Sequence, residues 1–215
     1  MLRPMSAARS RQLVVNWDEA PGMILRSVGE RASGRSRSIA AIAGPVGAGK
    51  STLAARLSDA VVTTDDYLPD YELVQMHQRD LPEFADLARL AADLRCLRDH
   101  GKAQLPVWSF QTHRREGERP MVAAHENLIV VEGIHALHEA VASVTDVRIY
   151  VDAPRATRLA RWELRERRGE RGWSVDEALA FFEAVAEPTF EVHAARYRAS
   201  ADIIVTNADE LPSPS

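Results

Sequence analysis

Apolar and polar positions repeat with two different periods along most of the chain. From Ser38 onward, short and nearly continuous apolar runs predict buried strands, and longer stretches with apolar residues three or four positions apart predict helices. The predicted strands are SIAAIAG, VVTTDD, NLIVVEG, VRIYVDAP and ADIIVTN, and the predicted helices are STLAARLSDA, DLARLAADLRCLRDHG, PRATRLARWELRERR and SVDEALAFFEAVAEPTFEVHAARY. Apolar strands separated by helices are typical of a parallel sheet covered on both faces. The pattern therefore predicts a three-layer α/β fold.

The same pattern divides the chain into three parts. Residues 1–37 are a polar lead-in that could hold one amphipathic helix, and residues 38–208 form the predicted domain. Residues 209–215 are expected to be a loose tail. Within the domain, an arginine-rich helical segment covers about 155–173. We expect one domain with a substantial core, because the whole chain has 215 residues.

Composition narrows the classes of function. A hydrophobic fraction of 46% and a charged fraction of 27% are ordinary for a globular protein. The formal net charge of −4 gives no sign of broad binding to nucleic acid or anionic membranes, and no segment approaches the roughly 18 to 20 apolar residues of a membrane-spanning helix. The single cysteine, Cys96, excludes an intramolecular disulfide and fits a reducing cytoplasm. Oligomeric state stays open, a homo-oligomer included.

Residues 44–51, GPVGAGKS, match the phosphate-binding pattern G-x-x-x-x-G-K-[ST] between a predicted strand and a predicted helix. The glycines let the backbone turn tightly and point its N–H groups at phosphate oxygens, and the following helix N-terminus adds positive charge. Lys50 can reach the β- and γ-phosphates, and the Ser51 hydroxyl can bind Mg²⁺. We therefore predict a site for ATP or GTP with Mg²⁺. The predicted nucleotide-binding residues are Gly44, Pro45, Val46, Gly47, Ala48, Gly49, Lys50, Ser51 and Thr52.

The strand NLIVVEG ends in an acid, Glu132. In folds with a phosphate loop, an acid at the tip of a buried strand can hold Mg²⁺, directly or through water. A strand-terminal glutamate can also simply face solvent. Because ligands of open α/β sheets bind at the carboxyl ends of the strands, we predict that Glu132 and Ser51 form the metal site.

Two adjacent acids, Asp65 and Asp66, end the predicted strand VVTTDD. Phosphoryl transfer depends mostly on positioning and charge neutralisation, plus an acceptor for the proton of the attacking alcohol. A carboxylate on the strand beside the phosphate-loop strand could lie close to the γ-phosphate and accept that proton. A loop acid of this kind could also be a solvated residue or a helix cap.

The segment after Asp152 carries arginines spaced 3, 3, 4 and 3 residues apart, which places them along one face of a helix. Such a stripe is usually solvated and paired with nearby glutamates. In a nucleotide-binding fold the helix could instead be a lid that brings arginines to the transferring phosphoryl group. These residues are Arg155, Arg158, Arg161, Arg165 and Arg168.

The pieces GPVGAGKST, DDY, DLPEFAD, PVWSFQTH, VVEGI and TRLARWELRERRGERG, followed by ADIIV, together resemble the uridine kinase and phosphoribulokinase family of P-loop kinases, nearest to uridine kinase. The similarity runs from about Ile39 to Asn207. It implies an ATP- and Mg²⁺-dependent enzyme that phosphorylates the 5′-hydroxyl of a nucleoside, uridine or cytidine.

The resemblance also implies roles for single residues. Asp65 matches the base toward the sugar hydroxyl, which leaves Asp66 as the solvated acid or helix cap. Asp80 matches an aspartate that holds ribose hydroxyls, and His113 matches a histidine that contacts the pyrimidine. Trp108 stands in place of a tyrosine that faces the base, and Asp80, Trp108 and His113 are the predicted substrate-binding residues. The predicted catalytic set is Asp65, Lys50, Arg165 and Arg171, the two arginines matching lid residues that contact phosphate.

Several positions depart from the family pattern. Leu68 stands where the family has a tyrosine, and Trp162 and Trp173 stand where its lid has arginines. Trp108 and Phe110 could stack against a flat base or simply fill the core. Hydrogen-bond recognition is where discrimination between substrates is largest, so these changes should alter the acceptor.

Three functions therefore stay open. The first is phosphorylation of uridine or cytidine, and the second is phosphorylation of another small alcohol, such as a sugar phosphate or a pantothenate-like molecule. The third is a nucleotide-binding regulatory protein without small-molecule kinase activity. The acid at Asp65 and the arginine-rich helix favour an enzyme, because a pure switch needs neither an alcohol-side base nor an acceptor pocket.

Overall fold

The computed structural model describes residues 12–32, 34, 36–123, 127–170 and 172–208. Its strands are β1 (Leu13–Asn16), β2 (Ser38–Ala43), β3 (Val61–Thr63), β4 (Lys102–Ser109), β5 (Arg114–Val122), β6 (Leu128–Glu132), β7 (Val147–Asp152) and β8 (Ile203–Thr206). Its helices are α1 (Ala20–Arg31), α2 (Lys50–Ala55), α3 (Leu87–His100), α4 (Glu139–Ala142), α5 (Arg155–Arg167), α6 (Val175–Phe181) and α7 (Glu187–Ser200). A π-helical turn, Phe182–Ala186, joins α6 to α7.

Six of these strands form one parallel sheet in the order β1-β8-β7-β2-β6-β3. Neighbouring residues of β2 point to opposite faces of the sheet, as the pleat requires. Ala40 and Ile42 pack into an apolar cluster with α1 and α2, whereas Ile39 and Ala41 pack into a second cluster with α3, α5, α6 and α7. Helices therefore cover both faces, and the predicted three-layer α/β fold is confirmed.

The amino-terminal segment belongs to this sheet. β1 pairs in parallel with β8 and forms one edge. Ile24 of α1 packs in the same apolar cluster as Leu53 of α2. The described part of the predicted lead-in, residues 1–37, thus adds a strand and a helix to the domain. Residues 1–11 and the predicted tail, 209–215, lie outside the described residues.

The strand order corrects one expectation about the site. We expected Asp65 to follow the strand beside the phosphate-loop strand β2. Instead β6 lies between β2 and β3, with Glu132 opposite both Ile42 and Thr63. Glu132 therefore comes from the strand next to the phosphate loop, and Asp65 comes from the second strand away.

β4 and β5 form a separate antiparallel hairpin, which contains the segment PVWSF. Its register shifts between Val107 and Trp108. In the described parts of the chain, no helix has the length and apolar character that crossing a bilayer requires.

Candidate active site

The phosphate loop connects β2 to α2 and is braced from the end of β8. Gly49 directly precedes α2 with φ +101°, a conformation that favours glycine. A Cβ atom at Gly49 would lie 2.5 Å from Nδ2 of Asn207. The same Asn207 amide donates a hydrogen bond to the Ala48 carbonyl at 2.8 Å. Asn207 is not predictable from sequence patterns, because a lone asparagine after a strand belongs to no motif.

Charged side chains meet where the phosphate loop approaches β6. Glu132 is only 7% exposed, and Ser51 Oγ donates to its Oε1 at 3.0 Å. Burial raises the pKa of Glu132, while the nearby Lys50 ammonium lowers it and the Asp65 carboxylate raises it further. Lys50 Nζ also donates to the Pro45 carbonyl at 2.9 Å. The hydroxyl, the acid and the lysine predicted for nucleotide and metal binding therefore lie together.

This donor set suits a magnesium ion held jointly with a nucleotide. Mg²⁺ usually combines one or two carboxylates with phosphate oxygens and water. Ser51 and Glu132 offer a hydroxyl and a carboxylate side by side. Among the described residues, no group of three or more His, Cys, Asp or Glu side chains is arranged to hold a metal. Ser51 and Glu132 could therefore supply two of the ligands of such an ion.

Asp65 reaches the same space from β3. It lies in the 3₁₀ turn Thr64–Tyr67, directly after the strand. The tips of β3 and β6 pack tightly there, since a Cβ atom at Gly133 would lie 1.8 Å from Thr64 Oγ1. The Asp65 side chain lines one cavity together with Glu132, although a strand separates Asp65 from β2.

Asp66, its neighbour, has a structural contact instead. It is only 8% exposed and accepts a hydrogen bond from the Trp108 backbone N–H at 3.2 Å. Its other oxygen lies 3.5 Å from the Arg119 guanidinium, and burial raises the pKa of its carboxyl. The expectation of a solvated acid or helix cap is therefore wrong, since Asp66 ties the hairpin to the turn that carries Asp65.

A cavity of about 670 Å³ connects these groups, a size typical of small-molecule sites. From the phosphate loop and α2 it is lined by Val46, Gly47, Gly49, Lys50, Ser51 and Thr52. Its acids are Asp65, Asp80, Glu132 and Glu170, and its rings are Tyr71, Phe110, His113, Trp162, Trp173 and Phe181. The phosphate loop therefore shares one cavity with carboxylates and with these rings, which we call the aromatic wall.

Two of the three residues predicted to bind substrate, His113 and Asp80, line the cavity. His113 has φ +53° at the turn between β4 and β5. Its ring lies nearly parallel to those of Tyr71 and Trp173, with centroids 5.3 and 4.7 Å away. Asp80 is buried, and its Oδ1 lies 3.5 Å from the Tyr71 hydroxyl.

The third, Trp108, lies behind this wall. It is 5% exposed, belongs to the larger core cluster and is not among the residues that line the cavity. Its indole N–H donates to the Pro69 carbonyl at 3.1 Å. Trp108 and Phe110 of PVWSF, which could each stack on a ligand or fill the core, therefore differ. Trp108 fills the core, and Phe110 lines the cavity.

The arginine stripe of α5 begins with two anchors. Arg155 pairs with Glu183 at 2.5 Å. Buried Arg158 makes two hydrogen bonds to Glu187 of α7, at 2.6 and 2.5 Å. The start of the predicted lid is therefore fixed to the helices behind it. Arg171, predicted to contact phosphate, lies outside the described residues.

The next arginines of the stripe approach the phosphate loop and the cavity. Arg161 donates to the Gly47 carbonyl and to Asn207 Oδ1, both at 3.2 Å. Arg165 and Arg168 line the cavity, and Arg165 also pairs at 2.7 Å with the glutamate five residues further on. The stripe thus runs from one exposed and one buried ion pair, past the phosphate loop, into the cavity.

A second, smaller cavity of about 340 Å³ opens between the ends of β7 and β8. It is lined by Asp152, Ala153, Pro154, Thr206, Asn207 and Ala208. No sequence motif marks these residues, which the strand order brings beside the phosphate loop.

A parallel sheet with a phosphate loop at its carboxyl edge, acids on two further strand tips and an arginine-bearing helix over the cavity define a P-loop kinase. The chain belongs to the phosphoribulokinase / uridine kinase family, whose family model matches residues 71–211. It is thus a phosphotransferase with an alcohol group as acceptor.

Curated relatives support this assignment. A uridine kinase from Lactobacillus johnsonii is 28% identical over 186 residues, covering 80% of this chain and 87% of the relative. A uridine kinase from Clostridium botulinum (strain Okra / Type B1) is 30% identical over 177 residues, covering 76% of this chain and 85% of the relative.

Solved structures share the fold. A protein from Silicibacter sp. TM1040, provisionally named a fructose transport system kinase, superposes with a TM-score of 0.67 at 23% identity, covering 85% of this chain and 97% of that one. A possible uridine kinase from Bacillus stearothermophilus gives a TM-score of 0.53 at 17% identity, covering 85% and 99% of the two chains.

Proposed function

We propose that the protein is an ATP- and Mg²⁺-dependent kinase that phosphorylates a hydroxyl group of a small molecule. One observation carries the proposal: the phosphate loop, Glu132, Asp65 and Asp80 all line the same cavity. A nucleotide-binding domain without an acceptor has no need of a carboxylate and an aromatic wall beside its phosphate loop. The 670 Å³ volume has room for a triphosphate and a small second ligand.

On the nucleotide side, backbone N–H groups of the phosphate loop and Lys50 would hold the β- and γ-phosphates. Ser51 and Glu132 would hold Mg²⁺, which neutralises charge on the phosphates when it is bound. The smaller cavity at the ends of β7 and β8 is the place we propose for the nucleotide base, since it adjoins Asn207 and the phosphate loop.

On the acceptor side, Asp65 would accept the proton of the attacking hydroxyl. A new bond forms between the hydroxyl oxygen and the γ-phosphorus, the bond from that phosphorus to the β–γ bridging oxygen breaks, and ADP leaves. Arg165 lines the cavity and would stabilise charge on the transferring group, a role that we also propose for Arg171. Asp80 and His113 would hold the acceptor.

We propose the 5′-hydroxyl of uridine or cytidine as the first acceptor to test. The names of both curated relatives support this choice. Asp80 and the near-parallel rings of Tyr71 and His113 offer an acid for sugar hydroxyls and flat faces for a base.

A second candidate is another small alcohol, such as a sugar phosphate or a pantothenate-like molecule. The observation that favours it is the set of residues that surround the proposed acceptor site. The Trp173 ring already lies 4.7 Å from the ring of His113, and Trp108 is in the core rather than at the acceptor. Leu68 adds an apolar side chain to the cavity lining. Leu68 and Trp108 stand where the family has tyrosines that could hydrogen-bond to a base, and Trp173 stands where its lid has an arginine.

An ADP-release assay with ATP, Mg²⁺ and a panel of nucleosides, sugars and sugar phosphates tests the proposal. Release that depends on uridine or cytidine supports the first candidate, and release that depends on another alcohol supports the second. If ATP binds but no acceptor is phosphorylated, the regulatory alternative replaces both. If GTP supports equal turnover, the nucleotide is not restricted to ATP.

A further inference from the structure

His135 occupies the turn that follows β6, three residues after Glu132. It is 1% exposed, which makes it one of the most deeply buried polar residues of the structure. No motif marks it, and the proposed chemistry does not use it directly. The next residue back, Ile134, lines the cavity, so His135 lies immediately behind the cavity wall.

Both ring nitrogens of His135 have partners. Nε2 lies 2.7 Å from the backbone carbonyl oxygen of Asp80, and Nδ1 lies 3.3 Å from the Tyr197 hydroxyl. A carbonyl oxygen can only accept, so Nε2 carries the proton and donates a hydrogen bond to the Asp80 backbone carbonyl. Nδ1 is then the acceptor for the Tyr197 hydroxyl. Burial lowers the pKa of His135 to about 3, so the ring stays neutral at physiological pH.

The segment around Asp80 has little regular secondary structure of its own. It contains no strand or α-helix between Leu68 and Asp86, only short turns. Its backbone hydrogen bonds from Gln75 to Phe84 link residues three positions apart. The contact from His135 instead crosses 55 residues of sequence. It joins the segment to the strand tip that carries Glu132.

We propose that His135 is a positioning residue for the acceptor site: it fixes the Asp80 segment against the tip of β6, and thereby sets the distance between the acceptor and the transferring phosphoryl group. Tyr197, from α7, holds the ring in the orientation that this contact needs. The inference rests on the proposed function, because it assumes that Asp80 holds the acceptor. It holds equally for a nucleoside and for another small alcohol.

The test compares three variants with the wild type. His135→Leu removes both hydrogen bonds, His135→Gln keeps an N–H donor close to the place of Nε2, and His77→Leu changes an exposed histidine of the same segment. Steady-state kinetics are measured with ATP, Mg²⁺ and whichever acceptor the panel identifies. Hydrogen–deuterium exchange of residues 76–84 is measured alongside.

We expect His135→Leu to raise the KM for the acceptor about tenfold or more, while the KM for ATP changes less than twofold. His135→Gln should recover most of this loss, and His77→Leu should behave as the wild type does. Backbone amides of residues 76–84 should exchange faster in His135→Leu than in the wild type, a readout that does not depend on activity.

An equal rise in both KM values, no rescue by glutamine, or unchanged exchange in residues 76–84 would overturn the inference. If His135→Leu fails to fold, Tyr197→Phe replaces it, with a smaller rise in the acceptor KM expected. A wild type that phosphorylates nothing removes the proposed function, and the exchange experiment still decides whether His135 holds the segment. If Asp80→Asn leaves the acceptor KM unchanged in an active enzyme, the role of Asp80 fails on its own.

Discussion

The phosphate loop and the segment from Leu68 to Asp86 line the same cavity, but they are held in different ways. The phosphate loop joins the central strand β2 to α2, and Asn207 and Arg161 brace it through its backbone carbonyls. The acceptor segment has only short turns, and it is held by a backbone hydrogen bond from Tyr71 to His113, by ring contacts and by the buried His135. Backbone geometry therefore defines the part of the cavity beside the phosphate loop, which we call the nucleotide half. Side chains define the part beside the segment from Leu68 to Asp86 and its stacked rings, which we call the acceptor half. Substitutions should alter acceptor choice more easily than nucleotide binding.

The largest effect is expected at Asp65, where the two halves meet. Asp65→Asn removes the proposed proton acceptor, so kcat should fall about 10² to 10⁴-fold with little change in ATP affinity. Asp66→Asn, the same substitution at the neighbouring residue, is the matched control. Because Asp66 accepts the Trp108 N–H and lies near Arg119, its variant should lose thermal stability and keep more of its kcat than Asp65→Asn does. Stopped assays and melting curves separate the two outcomes. Equal kcat values in the two variants would remove Asp65 as the base.

A glycine substitution tests the nucleotide half. At Gly49, alanine would adopt a φ of +101° and bring its Cβ within 2.5 Å of the Asn207 amide. This strain should cost about 2 kcal/mol and weaken ATP binding, as measured by melting temperature and calorimetric titration.

The control lies in α1. Gly29 has nothing within 4 Å of the place where a Cβ would stand. Alanine at this helix-interior position should stabilise the protein by about 0.5 to 1 kcal/mol and leave nucleotide binding unchanged. A stable Gly49→Ala variant with normal ATP affinity would contradict the claim that the backbone geometry of the phosphate loop defines the nucleotide half.

Trp173 tests the acceptor half. Its ring stacks at 4.7 Å on His113 and also lies 4.7 Å from Phe181. Trp173→Ala should raise the KM for the natural acceptor about tenfold, through loss of aromatic contact, and leave the KM for ATP unchanged. Trp173→Phe keeps a ring and should lose less. A change confined to the ATP parameters would show that Trp173 belongs to the nucleotide half.

This division also explains what the sequence could predict. The fold, the phosphate loop and the strand-tip position of Glu132 follow from local patterns, since each depends on periodicity or on residues a few positions apart. Strand order is a long-range property, so the separation of β2 from β3 by β6 was not foreseen. Burial also depends on packing between distant segments. Local patterns therefore predict neither the buried hydrogen bond of Asp66 nor whether Trp108 lies in the core.

The residues that the motifs missed share one property. Asn207 and His135 act through bonds to backbone groups 159 and 55 residues away, and no local pattern records such contacts. Arg158 and Arg161 have the same helical spacing as Arg165, yet only the structure separates an arginine that is paired with Glu187 from one that lines the cavity. The acceptor half is thus the part of the site that sequence patterns describe least.

The smallest expected effect concerns stability rather than activity, and it tests how the acceptor half is held. Burial lowers the pKa of His135 from its ordinary value of 6.5 to about 3. Between these values the unfolded chain binds a proton that the folded protein does not, so stability is fully present above pH 6.5 and falls as the pH drops. From pH 7.5 to pH 5.5 this contribution is about 1 kcal/mol.

His135→Gln has no ring to titrate, so its free energy of unfolding should fall by about 1 kcal/mol less than that of the wild type over this interval. His138 and His193 lie nearby, and burial lowers the pKa of each as well. Their contributions have the same sign and persist in the variant, so the difference between the two proteins isolates His135. Urea denaturation at pH 7.5 and 5.5 measures that difference. Parallel losses in the two proteins would mean that His135 titrates as an exposed histidine does, and the neutral ring that donates to Asp80 would have to be abandoned.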